Sequence, residues 1–255
     1  MKKVVKVGMA CLLAASMFGC SSSKGEENTK VITIGTSPDY APYESLDTDG
    51  NIVGFDADMV AKFEEYLNED SDVTYTLEFK QMDFDNIITQ IQGDQIDVGI
   101  SGFSYDPQRE VEWSEPYLGS SQVAVLPADS DIKSLADLEG KSVAVQTGST
   151  GEKAAQEIKD ANISGLKSVQ DIMNALAAHQ YDAAIVDGGV AKNYVDNADF
   201  IMLDEALLDE QNFIIAKKGN TEIIDLMNKC IEKFLASQDY QDLCSKYGLS
   251  PVVTE

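Results

Sequence analysis

Residues 87–100 read Ile-Ile-Thr-Gln-Ile-Gln-Gly-Asp-Gln-Ile-Asp-Val-Gly-Ile, and their pattern returns at residues 172–185. Laid together, Ile87, Ile91, Gln95, Asp97 and Ile100 fall on Ile172, Leu176, Gln180, Asp182 and Ile185. Each copy passes from helical spacing of its apolar residues to a short buried strand. A second echo, at a different offset, sets Ile32, Ile34 and Thr36 on Val143, Val145 and Thr147. Amphipathic helices resemble one another, so either match alone is within reach of chance. The two together imply two lobes of similar build, each with a strand-to-helix mouth.

Outward from that stretch the same rhythm continues. A strand over Val31–Thr36 precedes a helix over 56–68, whose Met59, Val60, Phe63 and Leu67 share a face. A strand runs from Val73 to Phe79, and Asp83 can cap a helix that reaches Gln92 and closes at Gly93. Asp97–Ser101 reads as a short buried strand. After Val123–Leu126 come a Ser134–Glu139 segment, a strand at Ser142–Val145 and a helix over 150–160. A helix over 170–179, a strand at Ala183–Val186 and a helix over 188–197 follow. Strands alternating with helices of about 10–15 residues argue for an α/β fold. In open α/β sheets ligands bind beyond the carboxyl ends of strands, so two facing lobes make a cleft.

The 255 residues, 44% hydrophobic, suffice for one large core or two ordinary ones. Asp and Glu number 44 against 19 Lys and Arg, giving a formal charge of -25. So acidic a chain lacks the basic surface that nucleic acid requires. Arg109 is the only arginine and His179 the only histidine. A His-rich zinc site cannot be built from one imidazole, and a Ser-His-Asp triad would have to use His179, at a helix end. No metal site, cofactor or catalytic residue is expected.

At the N-terminus, Lys2, Lys3 and Lys6 precede an apolar run from Val7 to Phe18 that ends at Gly19-Cys20. The run is shorter than the roughly 20 residues that cross a bilayer. It resembles a bacterial lipoprotein signal over residues 1–20, with Cys20 as the lipid attachment site, although Met17 and Phe18 depart from the usual lipobox. An ordinary secretory signal is the alternative. Residues 21–30 are polar and read as a flexible tether. Loss of three lysines and no acids with the signal takes the mature charge to −28. Anchorage at the extracellular face of the cell membrane therefore falls to the lipid, and a Gram-positive source fits.

Three places carry chemistry. Arg109 follows Asp106 and Pro107, a good N-cap and first helical residue, so a short helix is expected to hold it near Ser101 and Ser104. A guanidinium fork matches a carboxylate, although pairing with Glu110 or Glu112 on the surface is the plainer reading. The loop Gln146-Thr147-Gly148-Ser149-Thr150-Gly151 lies before a helix and offers amides to an anion, or simply an N-cap. Asp187 ends an apolar strand, where it can hold an ammonium group or cap the helix after it. Cys230 and Cys244 remain after the signal; a disulfide and two buried thiols both stay open.

These residues sit in a recognisable order. The runs I-G-T-S-P-D-Y-A-P-Y-E (34–44), V-G-F-D-A-D-M-V (53–60), D-V-G-I-S-G-F-S-Y-D-P-Q-R (97–109), S-E-P-Y (114–117), V-A-V-Q-T-G-S-T (143–150) and Y-D-A-A-I-V-D (181–187) resemble the solute-binding proteins of polar amino acid ABC importers. The resemblance covers about Val31 to Leu249. It implies the two-lobed type II periplasmic binding fold, with lobe 1 at 31–121 and 210–255, lobe 2 at 122–209, and a hinge near Ser120–Val123 and Leu208–Gln211. It implies that Arg109 clamps the ligand carboxylate, helped by Ser104, the Gly102 backbone, Thr150 and neighbouring amides such as that of Ser149. Asp187 takes the α-ammonium, Tyr40 and Phe84 wall the side chain, and Ser37, Asp39, Tyr43 and Gln146 tune selectivity. Phe84 stands where many members have tryptophan and Gly102 where some have serine, which leaves the ligand's identity open. ABC permease subunits with their ATPase are the implied partners. A sensory amino acid-binding module and a dehydratase on the same fold are the rival readings.

Overall fold

The computed structural model describes residues 28–69 and 71–252, so the signal, Cys20 and most of the tether lie outside the described residues. Numbered in chain order, the first elements are β1 (Thr29–Thr36), β2 (Asp39–Tyr40), β3 (Glu44–Leu46), β4 (Ile52–Val53), α1 (Phe55–Asn68), β5 (Thr74–Gln81) and α2 (Phe84–Gln92). Next come β6 (Val98–Ser104), β7 (Val111–Pro127), β8 (Ser142–Gln146), α3 (Thr150–Gln156), β9 (Asn162–Leu166) and α4 (Val169–Ala177). The chain finishes with β10 (Ala183–Asp187), α5 (Gly188–Asn197), β11 (Phe200–Lys217), α6 (Thr221–Leu235) and α7 (Gln238–Tyr247).

Eight strands lie in the order β5-β1-β6-β11-β7-β10-β8-β9. Two parallel units, β5-β1-β6 and β10-β8-β9, occupy its two ends. The long antiparallel pair β7 and β11 joins them. This is the two-lobed type II arrangement. Ser120, Ser121 and Gln122 pair with Glu210, Asp209 and Leu208 in the middle of those long strands, with register shifts between Met202 and Leu208. One large buried cluster runs through both lobes, from α1 to Ile172 and Leu176 of α4. Phe55, Met59 and Phe63 of α1 are fully buried, and Phe63 meets Phe234 of α6 edge to face. In the other lobe Val143, Val145, Ala155, Ala183 and Ile185 form a separate buried cluster.

The internal echo is structural. An offset of 85 residues carries α2 onto α4 and the start of β6 onto that of β10. It also carries Asp94 (φ 56°) onto His179 (φ 53°), so each helix ends through a left-handed residue. The following strands open alike. Asp97 accepts from the Thr33 N–H and hydroxyl at 2.7 and 2.6 Å, and Asp182 accepts from those of Ser142 at 2.8 and 2.7 Å. This pairing corrects the second echo. Thr33 matches Ser142, and Ile34 matches Val143, because Ile34 pairs with Val98 as Val143 does with Ala183.

Three local expectations differ. Asp83 stands at the N-cap of α2 without a side-chain bond, because its carboxylate is taken by Lys167 at 3.0 Å. Helix α3 stops at Gln156, and Asp160 then takes φ 56° as Ile158 and Ala161 fold onto the lobe core. No helix forms at Asp106. Its carboxylate accepts from the Gln108 N–H at 3.0 Å and its carbonyl from the Arg109 N–H at 3.0 Å, closing a turn before β7 begins at Val111.

Candidate functional site

The turn, rather than a helix, positions Arg109. Its Nη1 donates to the Ser104 carbonyl at 3.1 Å, at the end of β6, and its Nη2 crosses to the Gly148 carbonyl at 2.7 Å. The guanidinium lies 5.3 Å from the Phe103 ring and 5.8 Å from that of Phe84, which stack on each other at 4.6 Å. Aromatic faces attract a cation and hold its plane. The side chain is only 8% exposed, and its nearest acid, Asp106, lies 3.7 Å from Nε. Burial lowers its pKa, opposed by Asp106 and Glu210, and an arginine remains charged regardless. Surface pairing with Glu110 or Glu112 is not what the structure has.

Across the cleft, Asp187 is 1% exposed at the end of β10. It accepts from the Tyr43 hydroxyl at 2.5 Å, from the Gly189 N–H at 2.8 Å as N-cap of α5, and from Ser120. The same carboxylate thus caps α5 and holds Tyr43 and Ser120. Burial pushes its pKa up to about 6, and these three donors limit the rise. Tyr40 is buried beside Tyr43, their ring centroids 5.7 Å apart.

Between the two charged groups, Thr150 at the start of α3 donates to Glu210 Oε2 at 3.0 Å, and Gln122 donates to the same oxygen at 3.0 Å. Glu210 acts electrostatically on Tyr40, Arg109 and Asp187. The sequence marks this region only as a hinge. Cross-strand register puts Ser120 opposite Glu210, Leu118 opposite Asn212 and Asp187 opposite Gln122. Paired residues share a face, so polar positions two apart on the crossing strands were the available signal. Asn212, also missed, donates to the Gly102 carbonyl at 3.1 Å. Gly102 itself has φ 58°, and a Cβ there would stand 3.3 Å from the Tyr40 ring.

The remaining candidates divide. Ser104 enters through its carbonyl. Ser149 caps α3 by accepting from the Glu152 N–H at 3.0 Å, and the Gln146 amide donates to the Lys167 carbonyl at 3.2 Å. Ser37 donates to Asp39 at 2.9 Å, and Asp39 reaches across to the Val169 N–H at 2.7 Å. The rims are tied as well. Lys153 contacts Asp106 at 2.5 Å and Gln108 at 2.8 Å, and Lys167 contacts Asp83 and Asp85. The lobes are therefore closed on each other. Cys230 and Cys244 are buried free thiols, so no disulfide joins them. Among the described residues no cluster of metal-ligating side chains occurs and no helix is long and apolar enough to cross a membrane.

Residues 32–250 match the family described as bacterial extracellular solute-binding proteins, family 3. An arginine-binding extracellular protein of Bacillus subtilis (strain 168) is 30% identical over 259 residues, spanning 97% of this chain and 98% of its own. A probable histidine-binding protein of Neisseria gonorrhoeae is 27% identical, with 97% and 96% of the two chains covered. The crystal structure of a substrate binding protein of an amino acid ABC transporter superposes with a TM-score of 0.79 at 32% identity, covering 86% of this chain and 99% of that one.

Proposed function

Because the chain belongs to family 3 of the bacterial extracellular solute-binding proteins, we propose that its cleft binds an L-amino acid with a cationic side chain, L-arginine foremost, for delivery to an ABC importer. One observation carries this reading: a single buried cation, Arg109, shares the cleft with the carboxylates Asp187 and Glu210, and Glu210 acts electrostatically on both Arg109 and Asp187. A bound zwitterion places its carboxylate at Arg109 and its ammonium at Asp187. Glu210 then remains as surplus negative charge, which a cationic side chain offsets and an acidic one aggravates. The names of the Bacillus and Neisseria relatives, arginine-binding and histidine-binding, support the same class.

In this reading Gly102, Ser104, Thr150 and the amides around Ser149 assist the carboxylate clamp. Tyr40 and Phe84 wall the side chain, with Ser37, Asp39 and Gln146 at its edge. Lobe 1 comprises 31–121 and 210–255, lobe 2 comprises 122–209, and the segments near Ser120–Val123 and Leu208–Gln211 act as hinge. One ligand bridging Arg109 and Asp187 favours the closed state through its differential affinity for the two conformations. The role is binding and delivery rather than turnover, performed by a monomer whose partners are permease subunits and their ATPase. Lipid on Cys20 holds it at the outer face of the cell membrane of a Gram-positive bacterium.

Calorimetry against the standard amino acids and cystine, on protein unfolded and refolded to strip carried-over ligand, tests this. Tight binding of arginine or another basic amino acid with none of glutamate supports the reading. Preference for glutamate or aspartate refutes it.

A further inference from the structure

Beneath the cleft two carboxyl groups, Glu44 of β3 and Asp56 of α1, lie fully buried side by side. Glu44 Oε1 accepts from the Ser101 hydroxyl at 2.5 Å, and Ser101 Oγ accepts in turn from the Ser37 N–H at 3.1 Å. Asp56 Oδ2 accepts from the Tyr117 hydroxyl at 3.3 Å. The other two oxygens, Glu44 Oε2 and Asp56 Oδ1, are buried without any further partner. The groups that act on the pair are Asp39, Asp187 and Tyr117, with Tyr40 beside them, and none of these is a cation. Two adjoining carboxylates without a cation cannot both ionise cheaply; one proton held between them removes the repulsion and gives the orphan oxygens a partner.

The pair also touches the strand ends that carry the cleft. Through Ser101 it fixes Ser37 at the end of β1 and the backbone leading to Gly102 on β6. Through the Asp56 N–H, which donates to the Tyr43 carbonyl at 2.9 Å, it fixes the residue whose hydroxyl binds Asp187. We propose that Glu44 and Asp56 are positioning residues for ligand binding, sharing one proton that sets Ser37, Tyr43 and Ser101–Gly102 in the geometry that closes on the amino acid. This rests on the amino acid reading of the cleft, and the experiment separates the two. Burial is the first cause raising both pKa values, that of Asp56 to about 7 and that of Glu44 well above the carboxylate range. Loss of the proton on the alkaline side leaves two anions in contact. Their separation moves β3 or α1, and the strand ends with them.

The test is L-arginine calorimetry from about pH 6 to about pH 9 on the wild type, Glu44→Gln and Asp56→Asn, with infrared spectra of the ligand-free proteins. The expected wild-type affinity holds while one proton remains on the pair and weakens, by up to roughly tenfold per pH unit, where that last proton is lost on the alkaline side. In Glu44→Gln the amide donates permanently to Asp56, so the affinity stays within about twofold over the same range. Titration of the ligand's own amine is common to all three proteins and cancels in the comparison. The wild type should show a protonated-carboxyl band at neutral pH that fades on the alkaline side. A flat wild-type profile, an alkaline limb equally steep in both amide variants, or absence of that band overturns the proposal. If the variants fail to fold, the wild-type profile and band decide. If no amino acid binds, the reading of the cleft falls, and the band alone decides whether the pair holds its proton.

Discussion

Removing the Arg109 guanidinium is the most informative single perturbation. In Arg109→Ala the fold loses two hydrogen bonds to carbonyls, at Ser104 and Gly148, while Asp106 keeps Lys153 at 2.5 Å and its turn bonds. Folding should therefore survive. The ligand loses a planar donor for its carboxylate. Each charge-assisted bond contributes about 1.5–3 kcal/mol, so a bidentate clamp is worth about 3–6 kcal/mol, or roughly 10²- to 10⁴-fold in affinity. Arg109→Lys keeps the charge but not the fork or the stacking over Phe103, and should recover only part of that loss. The assay is calorimetry at neutral pH, with thermal melting of the ligand-free proteins to confirm folding. Arg109→Ala that melts like the wild type and binds within about fivefold of it would refute the clamp.

Other predictions concern charge and thiols. The Asp187 pKa of about 6 in the free protein, lowered when an ammonium binds, makes affinity fall as pH drops below about 6. Asp187→Asn should flatten that acid limb; an unchanged limb would remove Asp187 from the ammonium site. Lys153→Met breaks a contact that crosses the cleft. It should weaken binding roughly three- to tenfold at low salt, and the difference should shrink at about 0.5 M salt. A salt-independent difference would mean lost packing instead. Burial pushes Cys230 up to about 12 and Cys244 up to about 11. A thiol-specific disulfide reagent should therefore find neither in the native chain from residue 28, and both after unfolding.

Much of the architecture was readable because it is written in periodicity. Ile87 and Ile91 mark a buried helix face, and their repeat at Ile172 and Leu176 marks its counterpart in the second lobe. The second echo lies two residues off, since alternation alone cannot choose among registers that keep the same face inward; the bonds that Asp97 and Asp182 accept from Thr33 and Ser142 do. Arg109 and Asp187 were legible as chemically distinctive residues at strand ends. The turn that holds Arg109 was not, because Asp106 and Pro107 serve a tight turn as readily as a helix start. Glu210, Gln122 and Asn212 escaped notice because they lie on long crossing strands, where the cleft face is set by pairing between distant segments. Glu44 and Asp56 carry no local sign that they touch, as the two are brought together by the Phe55 and Asp56 N–H bonds to the Pro42 and Tyr43 carbonyls and by packing around Tyr117.

The central claim is that the cleft keeps surplus negative charge after the zwitterion is held. Competitive calorimetry of L-arginine against L-citrulline, its neutral near-isostere, measures that surplus directly. The account predicts arginine binding at least roughly tenfold tighter, with the preference reduced in Glu210→Gln. Equal affinities, or tighter binding of citrulline, would contradict it.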